Sequence, residues 1–268
     1  ETAVEATKLG AYEFLEKPLS LARLLLVVER AVDAHMLQRE NVGLKQQLSI
    51  VHEPVGRSAF AERIKEQLKR LAQHETKVMF VGESGSGKEL YARFLHEHSG
   101  RKNGPFIDVA VGSIASENAE VEFFGKEQGG GVFPGLMERA HGGVLFLAEI
   151  AGMDAQTQLK FVSALESSSF LRVGGTEQVH VDVRVIVTTR VVLEREVKEG
   201  RFRQDLYYLL NEVAMEVLPL REHSEDIPAL LQFYIDFFVQ HEKLAFRKFT
   251  MPALNFLRNY IWPGNVRE

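Results

Sequence analysis

Val78-Met79-Phe80-Val81-Gly82-Glu83-Ser84-Gly85-Ser86-Gly87-Lys88-Glu89 runs an apolar, β-type stretch into a glycine-rich turn, and Leu90-Tyr91-Ala92 continue it as a helix. A strand, a glycine turn and a helix N-terminus gather backbone N–H groups and the positive end of a helix dipole around one point, which suits a chain of phosphates. The glycines let the backbone approach that ligand closely and take positive φ, and Lys88 reaches the outer phosphates. Gly82 to Lys88 therefore read as a nucleotide-phosphate site; the plain alternative is a glycine turn carrying a surface lysine. Glu89 stands where many such loops place Ser or Thr for magnesium.

The usual partner of such a loop is a second apolar strand ending in acid, because metal and attacking water need carboxylates beside the terminal phosphate. Val144-Leu145-Phe146-Leu147-Ala148-Glu149 fits that description. Glu149 is placed to polarise a water, but Ala148 occupies the neighbouring position where an Asp would hold magnesium. With Glu89 in the loop and Ala148 on the strand, both common protein ligands of the metal are gone, so hydrolysis is expected to be impaired even where ATP binds. Further outward, Lys77 to Val81, Phe106 to Val109 and Val183 to Val187 are strand-like and alternate with helical stretches, predicting an α/β fold with a mostly parallel sheet covered on both faces. Beyond about Leu218 the pattern is helical, clearest over Ile227 to Val239 and Met251 to Tyr260, which predicts a small helical lid.

The whole chain has 268 residues, 32 Lys+Arg against 37 Asp+Glu for a net charge of −5, 45% hydrophobic residues and no cysteine. That excludes a disordered or collagen-like chain, disulfide staples, thiolate metal sites and cysteine catalysis, and a cytoplasmic location is expected. No long uncharged apolar run suits a bilayer, and Glu1-Thr2-Ala3-Val4-Glu5 lacks the pattern of a signal peptide. Mild acidity gives no global field for nucleic acid. His96, His98, His141 and His241 form no metal-ligand constellation in the sequence. The start without Met and the end at Glu268 read as those of an excerpt from a longer chain.

Residues 1–32 carry helix, strand and helix patterns, too little to fold alone. Between Asp33 and Ile50 the chain is polar, yet Leu37, Asn41, Leu44 and Leu48 fall at the alternating steps of a heptad seam. Either a dimeric coiled-coil linker or an ordinary exposed helix follows from that spacing.

The ordered segments Gly82 to Glu89, Gly142 to Ile150, Arg172-Val173-Gly174-Gly175, Phe202 to Tyr208, Glu225-Asp226-Ile227-Pro228 and Trp262-Pro263-Gly264-Asn265-Val266-Arg267-Glu268 resemble the central AAA+ domain of sigma-54-dependent response regulators of the NtrC/NtrX type. The resemblance spans about residues 55–268. It implies a P-loop AAA+ parallel sheet with a small helical lid, binding ATP or ADP. It further implies that Val55 and Gly56 line the adenine, Lys88 binds phosphates, Glu149 activates water, and Thr188 or Thr189 lies near the sensor strand. By the same likeness Arg203 is an arginine finger reaching a neighbouring subunit's nucleotide, and Arg267 is the second sensor. In that family Glu commonly follows the loop lysine, so Glu89 is expected there; Ala148 is not. Gly10 to Pro18 resemble the last strand of a receiver domain, with Lys17 at the phosphoryl contact and Phe14 at the aromatic switch position, the phospho-accepting Asp lying upstream.

Several positions depart from the family. Its active members carry a Gly-Ala-Phe-Thr-Gly-Ala loop that contacts the sigma factor, whereas here Phe124-Gly125-Lys126-Glu127 passes through Gln128-Gly129-Gly130-Gly131-Val132-Phe133-Pro134 directly to Gly135-Leu136-Met137. Leu209 replaces a second arginine, and Arg190 replaces the Asn usual after the sensor-strand threonines. The resulting expectation has four parts: the end of a receiver over 1–32, a helical linker over 33–54, an ATP-binding core over 55–220 and a truncated lid over 221–268. Such a chain would belong to a transcription regulator, phosphorylated by a sensor histidine kinase, homo-oligomeric as dimer or ring, and bound to DNA through a downstream domain. Contact with sigma-54 polymerase and with membrane is not expected, and magnesium stays open. The rivals are a working ring ATPase that opens promoters and a scaffold that binds no nucleotide.

Overall fold

The computed structural model describes residues 53–241, 246 and 248–268, so the receiver-like segment, Lys17, Phe14 and the heptad seam lie outside the described residues. The chain divides into two units, Glu1–His52 and Glu53–Glu268, and the second is the one described.

Helix α1 (Ala59–Leu71) starts where the Ser58 hydroxyl accepts from the Ala61 N–H at 3.0 Å, and it buries Ile64 and Leu68 one turn apart. Strand β1 (Val78–Val81) follows, then the glycine loop and helix α2 (Lys88–Glu97). Strand β2 (Phe106–Ala110) leads into helix α3 (Ser116–Phe124), the short strands β3 (Lys126–Gln128) and β4 (Gly131–Phe133), and helix α4 (Leu136–Arg139). Strand β5 (Val144–Ala148), helix α5 (Ala155–Ser167), the hairpin β6 (Ser169–Leu171) and β7 (Gln178–His180), and strand β8 (Arg184–Thr189) come next. Helices α6 (Leu193–Lys198) and α7 (Gln204–Leu210) precede strand β9 (Val213–Glu216). Past β9 lie a 3₁₀ turn over Leu220–Asp226, helices α8 (Ile227–His241) and α9 (Met251–Asn259), and a 3₁₀ turn over Asn265–Arg267.

Five strands form one parallel sheet in the order β2-β5-β8-β1-β9. The expected α/β sheet is thus present, with β9 as a fifth strand at one edge that the apolar runs alone did not reveal. Alternation places the two cores: Val78, Phe80, Val144, Phe146 and Ile186 face α1 and α2, while Met79, Leu145, Leu147, Val185 and Val187 face α3, α5 and α7. Because helices cover both faces, the inner strands are apolar on both sides and read as continuous runs.

In place of any long excursion between α3 and α4, β3 and β4 pair as Lys126 with Phe133, Glu127 with Val132 and Gln128 with Gly131. Gly129 and Gly130 close this hairpin with φ of 60° and 79°, the pair of positive values a two-residue turn needs. Arg172 fastens it, donating to Glu127 at 2.7 Å and to both oxygens of Glu138 at 2.9 and 2.6 Å. These carboxylates hold the Arg172 guanidinium above its ordinary pKa. Arg172→Ala is expected to speed amide exchange across residues 126–133 by about tenfold or more while β5 and β8 stay protected, since local opening samples only the contacts it breaks. Unchanged exchange in the hairpin would show that the strand pairing alone holds it.

Candidate functional site

The C-terminal ends of β1, β5 and β8 converge, the place where open parallel sheets bind ligands. Gly82 leaves β1 still tied to β8, its N–H donating to the Thr189 carbonyl at 3.1 Å. The loop then turns through Gly85 and Gly87 at φ of 78° and 95° and opens into α2. Within it, the Lys88 ammonium donates to the carbonyls of Gly82 at 2.7 Å and Glu83 at 2.8 Å, and Ser86 Oγ donates to Glu83 O at 2.9 Å. Lys88 is 8% exposed, and burial lowers its pKa against the opposing pull of Glu149.

Glu149, directly after β5, takes a left-handed φ of 58°, which aims its carboxylate back toward the loop. Its Oε1 lies 3.6 Å from Lys88 Nζ. Its Oε2 accepts from the Arg190 N–H at 3.1 Å, and its own N–H donates to Thr188 Oγ1 at 3.1 Å. Sequence position 190 therefore enters the site through its backbone, with its guanidinium 3.7 Å from Glu149. Thr188 and Thr189 are both buried.

From the lid side, Val266 N–H donates to Gly85 O at 3.1 Å and Arg267 Nη1 donates to Ser84 Oγ at 3.3 Å. A Cβ on Gly85 would stand 2.2 Å from Gly264 O, so only glycine allows this approach. Asn265, wholly buried, donates from Nδ2 to Ser84 O at 3.0 Å and to Glu83 at 3.2 Å, and accepts from Leu220 N–H at 2.8 Å. Arg221 adds two bonds to Glu83, at 2.8 and 2.5 Å. The Arg221 and Asn265 bonds pull the Glu83 carboxyl down to about 2.

Since the folded value lies below the ordinary 4.5, the stabilisation from this contact is complete above about pH 4.5 and is lost as pH falls toward about 2. Glu83→Gln is expected to lower Tm at pH 7, with the gap to the parent narrowing below about pH 4.5. A gap of the same size at pH 3 and pH 7 would mean that the charge on Glu83 does not hold the lid.

The structure thus brings Gly82 to Lys88, Glu149 and Arg267 together. Glu89 turns away to pair with Arg93 at 2.8 Å. Arg93 also reaches Asp108 at 2.9 Å, whose pKa rises to about 6 through burial and the nearby Glu89 charge. Arg203 makes no contact with the loop: it pairs with Asp205 at 2.6 Å, and its N–H donates to Gln158 at 2.8 Å. Val55 is half-buried, and the backbone just after Gly56 is bound by Asp226, which accepts from the N–H groups of Arg57 and Ser58 at 2.7 Å each. Asn265, Arg221 and Asp226 were missed as site residues, although Asn265 and Asp226 lie inside quoted motifs. Among the described residues no group of three or more His, Cys, Asp or Glu is arranged to hold a metal, and no helix is long and apolar enough to cross a membrane.

The Sigma-54 interaction domain family matches residues 55–216, and the AAA+ ATPase lid domain matches residues 221–268. Nitrogen assimilation regulatory protein NtrX of Azorhizobium caulinodans is 44% identical over 270 residues, covering 100% of this chain and 59% of that protein. Response regulator protein PilR of Pseudomonas aeruginosa is 40% identical, over 100% of this chain and 60% of its own length. The crystal structure of Brucella abortus NtrX in complex with ADP is similar with a TM-score of 0.82 and 41% identity, covering 100% of this chain and 61% of that one; an ATP complex of the same protein matches equally well at 0.82. This chain spans about three fifths of the length of these relatives. With the loop, the parallel sheet and the lid all in place, the chain belongs to the sigma-54 interaction domain family of AAA+ proteins, homologous to the response regulators NtrX and PilR.

Proposed function

We propose that this chain is the nucleotide-binding part of a two-component transcription regulator, in which ATP or ADP binds but magnesium-dependent hydrolysis is weak and sigma-54 polymerase is not remodelled. The observation that carries this reading is the convergence of the glycine loop, Lys88, Glu149 and Arg267 on one point. The loop N–H groups, the α2 N-terminus and Lys88 would hold the phosphates, with Val55 and Gly56 on the adenine side. A magnesium ion would supply charge neutralisation to the phosphates, and of the two positions that usually hold it Ala148 offers no carboxylate and Glu89 is paired with Arg93. The two-glycine turn between β3 and β4 supports the absence of a protruding sigma-contact loop.

In this reading residues 1–32 end a receiver domain phosphorylated by a sensor histidine kinase, 33–54 link it to the core, and 55–220 and 221–268 are core and lid. The regulator works in the cytoplasm, assembles with copies of itself and grips DNA through a downstream domain. Arg203, half-buried and ion-paired through its side chain with Asp205, is available to a neighbouring copy's nucleotide, since an ion pair this open to solvent is easily exchanged. Glu149 beside Lys88 favours the second reading, a working ring ATPase. Steady-state ATP hydrolysis by the full-length protein with magnesium decides between them, with Lys88→Ala as the blank. Turnover equal to the blank is expected; turnover clearly above it would establish the motor.

A further inference from the structure

The buried carboxylate of Asp226 lies outside the phosphate site and serves no step described so far. It is 1% exposed, yet it accepts four bonds: from Arg57 N–H and Ser58 N–H at 2.7 Å each, from Ser58 Oγ at 2.5 Å and from His223 Nδ1 at 3.0 Å. A buried carboxylate with this many donors stays ionised: burial pushes its pKa up, but the Ser58, Arg57 and His223 bonds outweigh it. Arg57 and Ser58, which supply three of the four bonds, lie about 168 residues earlier in the chain, at the threshold of α1. Asp226 itself closes the 3₁₀ turn that begins the lid. A Cβ on Gly56 would meet the Asp226 carboxyl at 2.9 Å, so the backbone of that residue is pressed directly on the charge. Tyr91 of α2, the helix that begins at Lys88, is close enough for this charge to help raise its pKa to about 12, after the larger effect of burial.

We propose that Asp226 is a positioning residue for base recognition, fixing the Val55–Gly56 backbone against the lid through Arg57 and Ser58. The proposal rests on the reading that the glycine loop takes a nucleotide with its base toward Val55 and Gly56. The lid then holds the ligand site by two separate arms. Asn265 grips the phosphate loop, and Asp226 grips the segment on the base side. An arm that shapes only the base side predicts a split that a general loss of stability does not: contacts to the base weaken while contacts to phosphate persist.

The test measures affinities of the full-length protein for ATP, GTP and inorganic tripolyphosphate in the parent, in Ser58→Ala and in Asp226→Asn. Ser58→Ala removes one of the four bonds together with the α1 cap to Ala61 and leaves both backbone N–H bonds in place, so it reports even where Asp226→Asn fails to fold, and tripolyphosphate affinity separates the clamp from the lost cap. Both variants are expected to bind ATP about tenfold more weakly and to lose preference for ATP over GTP, with tripolyphosphate affinity unchanged. Unchanged ATP affinity and base preference overturn the proposal. Equal weakening of ATP and tripolyphosphate also overturns it, because the clamp then acts on the whole site. A parent that binds tripolyphosphate but does not prefer ATP overturns the base-side placement, whereas a parent that binds neither overturns the nucleotide reading itself.

Discussion

Ala148→Asp is expected to raise magnesium-dependent ATP turnover by about ten- to a hundredfold over the parent, a barrier reduction of about 1.4 to 2.7 kcal/mol. The position closes β5, in register with Ala110 of β2, so the two strands offer methyl groups side by side and no side-chain oxygen that could hold a metal. Glu149 stands beside Lys88, and its two oxygens are already engaged by Lys88 and by Arg190. One more carboxylate would supply an oxygen ligand for magnesium and would leave Glu149 to orient water. The gain must vanish when a chelator removes the metal. Turnover that stays at the parental level would mean that Ala148 is not what limits hydrolysis.

Lys88→Met is expected to lower the ligand-free stability and to abolish the stabilisation by nucleotide. Without ligand, the parent holds an ammonium that is 8% exposed and whose pKa burial has lowered. Burial opposes that charge, but Met would also strip the donors from the Gly82 and Glu83 carbonyls and leave Glu149 without its ion pair to Lys88, so the ligand-free Tm is expected to fall. With saturating ATP or ADP, the parent gains about 2.7 kcal/mol at a hundred times Kd, and the variant gains nothing. Thermal scans with and without nucleotide check both halves. A variant still stabilised by ATP would place the phosphates away from Lys88.

The strand, loop and helix from Val78 to Glu97 were legible because three local signals agree there: a short apolar run, glycines at the turn and a helical pattern after it. Strand β5 was equally plain, since covering both faces makes all of Val144 to Leu147 apolar. Strand β9 was not, because at the sheet edge Ala214 and Glu216 are exposed and the run is diluted. The contacts that join lid to core were hidden for another reason. Asp226 meets Ser58, Arg221 meets Glu83 and Asn265 meets Ser84, pairs so distant along the chain that no local periodicity records them. The alanine at 148 was visible at once, whereas the pairing of Arg203 with Asp205 needed the fold to place both on one exposed helix start.

The strand order has a consequence for how the chain is made. Val78 is hydrogen-bonded on one side to the strand of Ile186 and on the other to that of Val213, so β1, an inner strand of the finished sheet, is synthesised long before either neighbour exists. Until β8 and β9 leave the ribosome, an apolar strand waits with both edges bare, and pairing over such separations is slow. Nascent chains of this protein are therefore expected to lean on chaperones while the ribosome works through the stretch between β1 and β9.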